Sequence, residues 1–182
     1  MNTHVTFPSS KGPLTGDHIF LRELREEDAT EAYASWLNDP EVNRYLETRQ
    51  VTLEQLRSYI REKAASPDAL LFGIFWKENG RHIGNIKLEP IDREAHEATM
   101  GILIGDKEYW GKGIATEATN LISDYAFSLL HLRSITLGVI ADHAAAIRVY
   151  EKCGFARVRV EKGAINHDGV LFDKLVMRRE AP

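Results

Sequence analysis

Apolar and polar positions follow two rhythms along this chain, one with period two and one with helical period. Residues 18–24 (His-Ile-Phe-Leu-Arg-Glu-Leu) read as a first strand. Residues 26–37 read as a helix, with Ala29, Ala32, Tyr33, Trp36 and Leu37 at helical spacing. Asn38-Asp39-Pro40 stops it, because the residue before a proline avoids the helical region. Thr52 is a plausible N-cap and Gln55 completes a capping box, predicting a helix to about Ala65, before Ser66-Pro67. Strands follow over 70–76 and 82–88, joined by Glu78-Asn79-Gly80-Arg81, whose Asn-Gly pair is a strong hairpin signal. A further strand covers 99–104.

The tight turn Trp110-Gly111-Lys112-Gly113 then opens a helix over 115–130, with Ala118, Leu121, Ile122, Tyr125, Ala126 and Leu129 on one face. A strand at 134–140 and a helix at 144–153 come next, with Gly154 where a C-cap glycine belongs. Two last strands, 156–161 and 170–177, flank a loop containing Asp168-Gly169. Meander strands plus strand–helix crossovers predict an α/β chain of α+β character, a mixed sheet with helices on its faces. No linker interrupts residues 1–182, so one domain is expected, with residues 1–16 a partly ordered N-terminal arm.

Composition narrows the function. The chain has 182 residues and one cysteine, Cys153, which excludes an intramolecular disulfide and a cysteine-built zinc site. No run approaches the ~20 apolar residues of a membrane span, and the N-terminus lacks the layout of a signal peptide. The expectation is a cytoplasmic protein without a membrane partner. Net charge is −4, with both signs interspersed, so no nucleic-acid partner is expected. His131 and the other histidines have no metal-ligand spacing, so no metal is expected. Cys153 reads as a small core residue rather than a nucleophile.

Chemistry concentrates in residues 101–118, where a strand runs into a short loop and the loop into a helix through Gly111 and Gly113. A helix N-terminus has unpaired N–H groups and a partial positive charge, and glycines let backbone approach an anion. The segment is a candidate phosphate site, with a plain tight turn as the alternative. A Walker A loop fails because Gly113, not Ser or Thr, follows Lys112, and the dinucleotide fingerprint fails because Thr116 takes its last glycine.

Together, Trp110-Gly-Lys-Gly-Ile-Ala115 and Ala146-Ile-Arg-Val-Tyr-Glu-Lys-Cys-Gly-Phe155 resemble the GNAT superfamily of acetyl-CoA-dependent N-acetyltransferases. The first is similar to its pyrophosphate loop, the second to its tyrosine-bearing helix, and the order of elements matches from His18 to Arg178. The resemblance implies a GNAT-like fold, with a central, mostly antiparallel sheet and helices on both faces. It implies acetyl-CoA as co-substrate, its pyrophosphate held by the backbone of Trp110, Gly111, Lys112, Gly113, Ile114, Ala115 and Thr116. The strand before that loop would splay from its neighbour, the backbone of Ile102, Leu103 and Ile104 would pair with the pantetheine arm and acetyl group, and Tyr150 would protonate the departing thiolate. A thiol near pKa 8 to 9 needs little help, and a phenol near 10 can supply it.

Trp110 stands where many members have Arg or Gln, His143 where an Asn often contacts the cofactor, and Ala146 matches members with Ala. The positions of the family's glutamate base read Thr99 and Gly138. That leaves Glu97 and His143 as the nearest candidates, with Glu89 and Asp92 behind.

Residues 36–47 and 82–88 resemble the subgroup of ribosomal-protein N-terminal acetyltransferases, and more closely that of acetyltransferases acting on amino-sugar nucleotides. This implies acceptor contacts at Trp36, Asn38, Asn43, Tyr45 and Asn85, with Arg44, Arg49 and Lys87 available to a diphosphate. Trp36 reads first as a core residue of an amphipathic helix. The expected acceptor is an amino-sugar nucleotide or similar small amine, with a protein N-terminus or a non-catalytic acyl-CoA-binding protein as alternatives. The expected state is monomer or homodimer.

Overall fold

The computed structural model describes residues 12–46 and 50–182, so residues 1–11 of the expected arm and Arg49 lie outside the described residues. Strands β1 (Leu14–Thr15) and β2 (Ile19–Glu23) form a hairpin at the N-terminal end. Helices α1 (Glu31–Asn38) and α2 (Leu53–Ala65) follow, then β3 (Leu70–Trp76), β4 (His82–Asp92) and β5 (Glu97–Ile104). Helix α3 (Ile114–Ser128), β6 (Ser134–Ile140), α4 (Ala144–Lys152), β7 (Ala156–His167) and β8 (Val170–Glu180) complete the chain. The strands make one sheet in the order β1-β2-β3-β4-β5-β6-β8-β7. Only the β5–β6 pairing is parallel, and α3 supplies its crossover. The mixed, mostly antiparallel sheet matches the expectation. No helix among the described residues is long and apolar enough to cross a membrane.

Strand alternation sends apolar side chains to both faces. On one face Ile74, Ile86, Leu88, Met100, Ile135, Leu137 and Met177 pack against Ile114, Ala118 and Ile122 of α3 and Ile147 of α4. On the other, Leu71 and Phe75 of β3 pack against Tyr33 and Trp36 of α1 and Leu56 and Ile60 of α2. This second layer covers only part of its face.

Four boundaries differ from the sequence reading, each for a physical reason. The helix expected over 26–37 is a single turn at Glu26–Asp28 and then α1. Asp28 turns back to accept from the Arg25 N–H and from Arg22, and extended Thr30 caps the Tyr33 N–H at 3.2 Å, so the helix starts afresh. Part of the arm is a strand, because Leu14 and Thr15 pair with Leu21 and Phe20. Strand β4 continues past Leu88 through Pro90, with its ladder interrupted between Leu88 and Ile91. Strands β7 and β8 extend through the expected loop to a turn at Asp168 and Gly169, both at positive φ, the two-residue hairpin geometry.

Candidate active site

The parallel β5–β6 ladder joins Glu97 to Ser134, Ala98 to Ile135 and Thr99 to Thr136, and stops there. Strand β5 stays paired to β4 as far as Ile104, and β6 to β8 as far as Ile140. The two strands therefore part beyond Thr99 and Thr136. The sheet opens at its centre, and the β6-facing backbone of Met100–Leu103 has no strand partner. Ile102 and Ile104 point into the α3/α4 layer and Leu103 into the α1/α2 layer. The Ile104 carbonyl accepts from the Trp110 indole N–H at 2.8 Å.

The loop after β5 leads to the N-terminus of α3. Gly111 and Gly113 adopt φ of 74° and 80°, which a residue with Cβ rarely reaches, and open space surrounds both. Tyr109 is buried beneath the loop, against Trp76 and the Lys112 ammonium. Trp110 is 39% exposed. Among the described residues, no acceptor meets the N–H groups of Gly111, Lys112, Gly113, Ile114, Ala115 or Thr116, and the helical ladder begins with Glu117 N–H to Gly113 at 3.1 Å. Six successive free donors at a helix N-terminus form an anion cradle.

Across the opening, Ala146, Val149 and Tyr150 of α4 sit on the partly buried rim of the core that also carries Ile102 and Ile104. Tyr150 packs on Phe155 at 6.1 Å between ring centres. Its hydroxyl has no hydrogen-bond partner among the described residues, and burial pushes its pKa up to about 12. The phenol is protonated at any ordinary pH and free to donate. His143, half-buried, begins α4, and burial together with nearby Arg44 lowers its pKa, which keeps the imidazole neutral at neutral pH. Cys153 is buried, its thiol pushed up by desolvation and directed at the Thr116 carbonyl.

Of the residues expected to touch the acceptor, Trp36 and Asn38 lie on α1, Asn43 and Tyr45 in the turn after it, and Asn85 on β4. Trp36 is 9% exposed and its indole covers Gly105, where a Cβ would collide with the ring. Asn85 is 6% exposed; its side chain meets the His82 ring nitrogen at 2.9 Å and bonds the Tyr33 hydroxyl. Asn38 is exposed, and its amide both donates to and accepts from the backbone of Val51. Buried Asn43 donates to the Leu37 carbonyl at 2.8 Å. These side chains are engaged within the fold. Of Tyr45 only the backbone, in the turn Asn43–Tyr45, is described; its side chain lies outside the described part.

The carboxylate candidates are engaged. Glu97 accepts from Arg178 at 2.6 Å, and Asp92 caps the N–H groups of Glu94 and Ala95. Glu89 accepts from Lys63 at 2.6 Å and Lys87 at 2.9 Å; burial raises its pKa, but the two ammoniums outweigh it and hold the pKa low. Sequence reasoning missed His82, which stacks on Phe75 at 4.8 Å and meets Tyr33 and Trp36 edge-on. The only signal was its place at the start of a strand three residues before Asn85.

Comparison with known proteins agrees with this geometry. The family model for the acetyltransferase (GNAT) domain matches residues 18–156. The uncharacterized N-acetyltransferase YoaA of Bacillus subtilis is 30% identical over 165 residues, 88% of this chain and 92% of the relative. The probable N-acetyltransferase YjcK of the same organism is 35% identical over 117 residues, 64% of this chain, and the chain spans only 65% of that relative. The spermidine N(1)-acetyltransferase of Escherichia coli is 37% identical over 78 residues, 43% of this chain and 41% of the relative. The crystal structure of the Vibrio cholerae spermidine N-acetyltransferase with CoA and spermine has a TM-score of 0.83 over 91% of this chain and 96% of that one. Its identity is 23%, so that likeness is one of fold.

Proposed function

The chain belongs to the GNAT acetyltransferase family, and from that premise we propose that it moves the acetyl group of acetyl-CoA to the primary amine of a small molecule. The six free N–H groups at 111–116, beside a strand whose edge is open, are the observation that carries this reading. The loop would hold the pyrophosphate, and the open backbone of Ile102 and Leu103 would pair with the pantetheine amides. Thr116, Ile114 and Ala115 would contribute through their N–H groups, while Ala146 and His143 would border the cofactor from α4. The acceptor nitrogen attacks the thioester carbonyl. A C–N bond forms, the C–S bond breaks, and the electron pair leaves on sulfur. Tyr150 gives its proton to that thiolate and regains one from solvent, and the nitrogen loses its proton to water or to neutral His143. Backbone donors near Leu103 would stabilise the transient oxyanion.

For the acceptor, we favour a free alkyl amine of the polyamine type. Spermidine is the acceptor that the name of the Escherichia coli relative gives, and Lys87, expected to meet a diphosphate, is already engaged by Glu89 at 2.9 Å. The amino-sugar nucleotide remains the second reading, favoured by the subgroup resemblance of residues 36–47 and 82–88. The test is release of CoA thiol from acetyl-CoA against polyamines, 4-amino-sugar nucleotides, aminoglycosides and N-terminal peptides. Release stimulated by polyamines supports the first reading, and release confined to sugar nucleotides supports the second. No release by any amine, with acetyl-CoA still bound, overturns catalysis.

A further inference from the structure

The N–H groups at 111–116 meet no acceptor among the described residues, so no bond of their own fixes where they point. The ends of the segment must do so. Tyr109, just before it, packs on Trp76 at 5.2 Å between ring centres. Glu117, just after it, reaches across to the N-terminal hairpin. Its Oε1 accepts from the His18 N–H at 2.9 Å and the Ile19 N–H at 3.2 Å, and its Oε2 lies 3.2 Å from Nδ1 of the His18 ring. His18 in turn stacks on Trp76 at 5.8 Å, and Ile19 is the register partner of Trp76. Both ends of the cradle therefore rest on one place, where the start of β2 meets the end of β3.

An acidic residue in the first turn of a helix is common, because the helix dipole favours it, and it normally sits in water. Glu117 does not. Its side chain is only 19% exposed, and the hairpin makes room for it. A Cβ on Gly16 would overlap the Glu117 carboxylate. Gly16 has no other need to be glycine, since its φ lies outside the left-handed region. Its carbonyl accepts from the Lys77 ammonium at 2.8 Å, and the Lys77 N–H bonds the His18 carbonyl at 2.9 Å, so the hairpin is itself fastened just beyond Trp76. A carboxylate this close to an anion cradle opposes the ligand by its charge. Its gain lies in the bonds it makes to the start of β2.

We propose that Glu117 is a positioning residue of the cofactor site. By bonding His18 and Ile19 it sets where the first turn of α3 stands, and so how the free N–H groups converge on the diphosphate of CoA. Gly16 is the residue that admits its carboxylate. A site of this kind depends on such support, because donors displaced by a fraction of an ångström no longer meet one ligand. This rests on the acetyl-CoA reading above.

The test compares CoA with pantetheine, which has the same thiol arm without the diphosphate. Calorimetry follows CoA, and amide NMR shifts follow pantetheine titrated into the millimolar range. Glu117→Ala should bind CoA about ten-fold more weakly or worse, the scale of a lost hydrogen bond to a charged group, and pantetheine like wild type. Glu117→Gln should stay within about three-fold of wild type for CoA, because the amide oxygen still accepts both N–H groups. Gly16→Ala leaves Glu117 in the chain but drives a methyl group against its carboxylate, and it should weaken CoA and spare pantetheine in the same way. It carries the test should Glu117→Ala fail to fold. CoA affinity equal to wild type in the alanine variants, or a loss shared equally by CoA and pantetheine, overturns the proposal. So does a glutamine variant as weak as Glu117→Ala. Failure of wild type to bind CoA overturns the acetyl-CoA reading, and this inference with it.

Discussion

Tyr150 has its acidity suppressed by burial, to a pKa of about 12, and nothing competes for its proton among the described residues. Such a phenol is a weaker acid than a thiol of pKa near 8 to 9, so it is present as a donor at every ordinary pH but hands its proton to the thiolate uphill. Tyr150→Phe removes one oxygen and keeps the ring on Phe155. The expected loss in kcat is about 10²–10⁴-fold, the usual scale of general-acid catalysis, with KM for acetyl-CoA little changed. Steady-state kinetics checks this, and an unchanged kcat overturns the role. Because the raised pKa keeps the hydroxyl protonated, the wild-type rate should show no falling limb from this residue between about pH 8 and the ordinary phenol value near 10. A fall there that Tyr150→Phe removes would show a more acidic phenol than burial allows.

At the scale of elements, the glycine loop and the opening of the sheet would make the proposed site. Gly111→Ala and Gly113→Ala introduce a Cβ into free space, so any cost comes from backbone conformation, about 1–2 kcal/mol for a left-handed L-residue. If the chain relieves that strain by turning the loop, the free N–H groups no longer converge. Acetyl-CoA affinity by calorimetry should then fall more than stability by urea unfolding, and affinity equal to wild type in both variants would show that the cradle is not used. At α2, Thr52→Ala breaks a reciprocal pair, Gln55 N–H to the threonine hydroxyl and Thr52 N–H to the glutamine side chain. Its expected cost is about 0.5–2 kcal/mol in urea unfolding, with acetyl-CoA affinity unchanged.

Both features were legible in the sequence because they are local, written in Gly-x-Gly and in Thr-x-x-Gln. The break after Asp28 was not, because Arg22 on a neighbouring strand draws that carboxylate away from a helical pattern. The opening of the sheet is implied by the family resemblance but not by the local pattern, since a three-residue ladder depends on the register of four strands. Residue type alone reads Trp36 and Asn85 as acceptor contacts and does not show their packing inside the fold. Their polarity and aromaticity suit a ligand, yet their partners are Gly105, His82 and Tyr33.

Across the whole molecule, α1 is fastened to the sheet by a buried polar and aromatic joint, and that joint titrates. His82 stacks on Phe75, and its Nε2–H lies 2.9 Å from both the Gly84 carbonyl and the Asn85 side-chain oxygen. Burial lowers its pKa, outweighing Asn85 and Asp28, which favour the charged form. Between that lowered value and the ordinary one of about 6.5, the unfolded chain binds a proton the folded chain refuses. The stability tied to His82 is therefore whole above about pH 6.5 and is lost as pH falls through the lowered pKa. Asp28 works in the same direction at lower pH. Burial raises its pKa, but the two bonds from Arg22, each 2.7 Å, and the Arg25 N–H outweigh this and hold it down. Its contribution is whole above about pH 3.9 and lost below. Thermal unfolding should thus show a midpoint that drops in the weakly acidic range before carboxylates titrate. His82→Phe keeps an aromatic ring beside Phe75 and cannot titrate. It should be less stable at every pH, because Asn85 loses a donor, yet flatter between about pH 7 and 5. Equal slopes in wild type and variant would show that the joint does not sense protons. A flatter variant would mean that His82 carries the proton linkage of the contact between α1 and the sheet in the weakly acidic range.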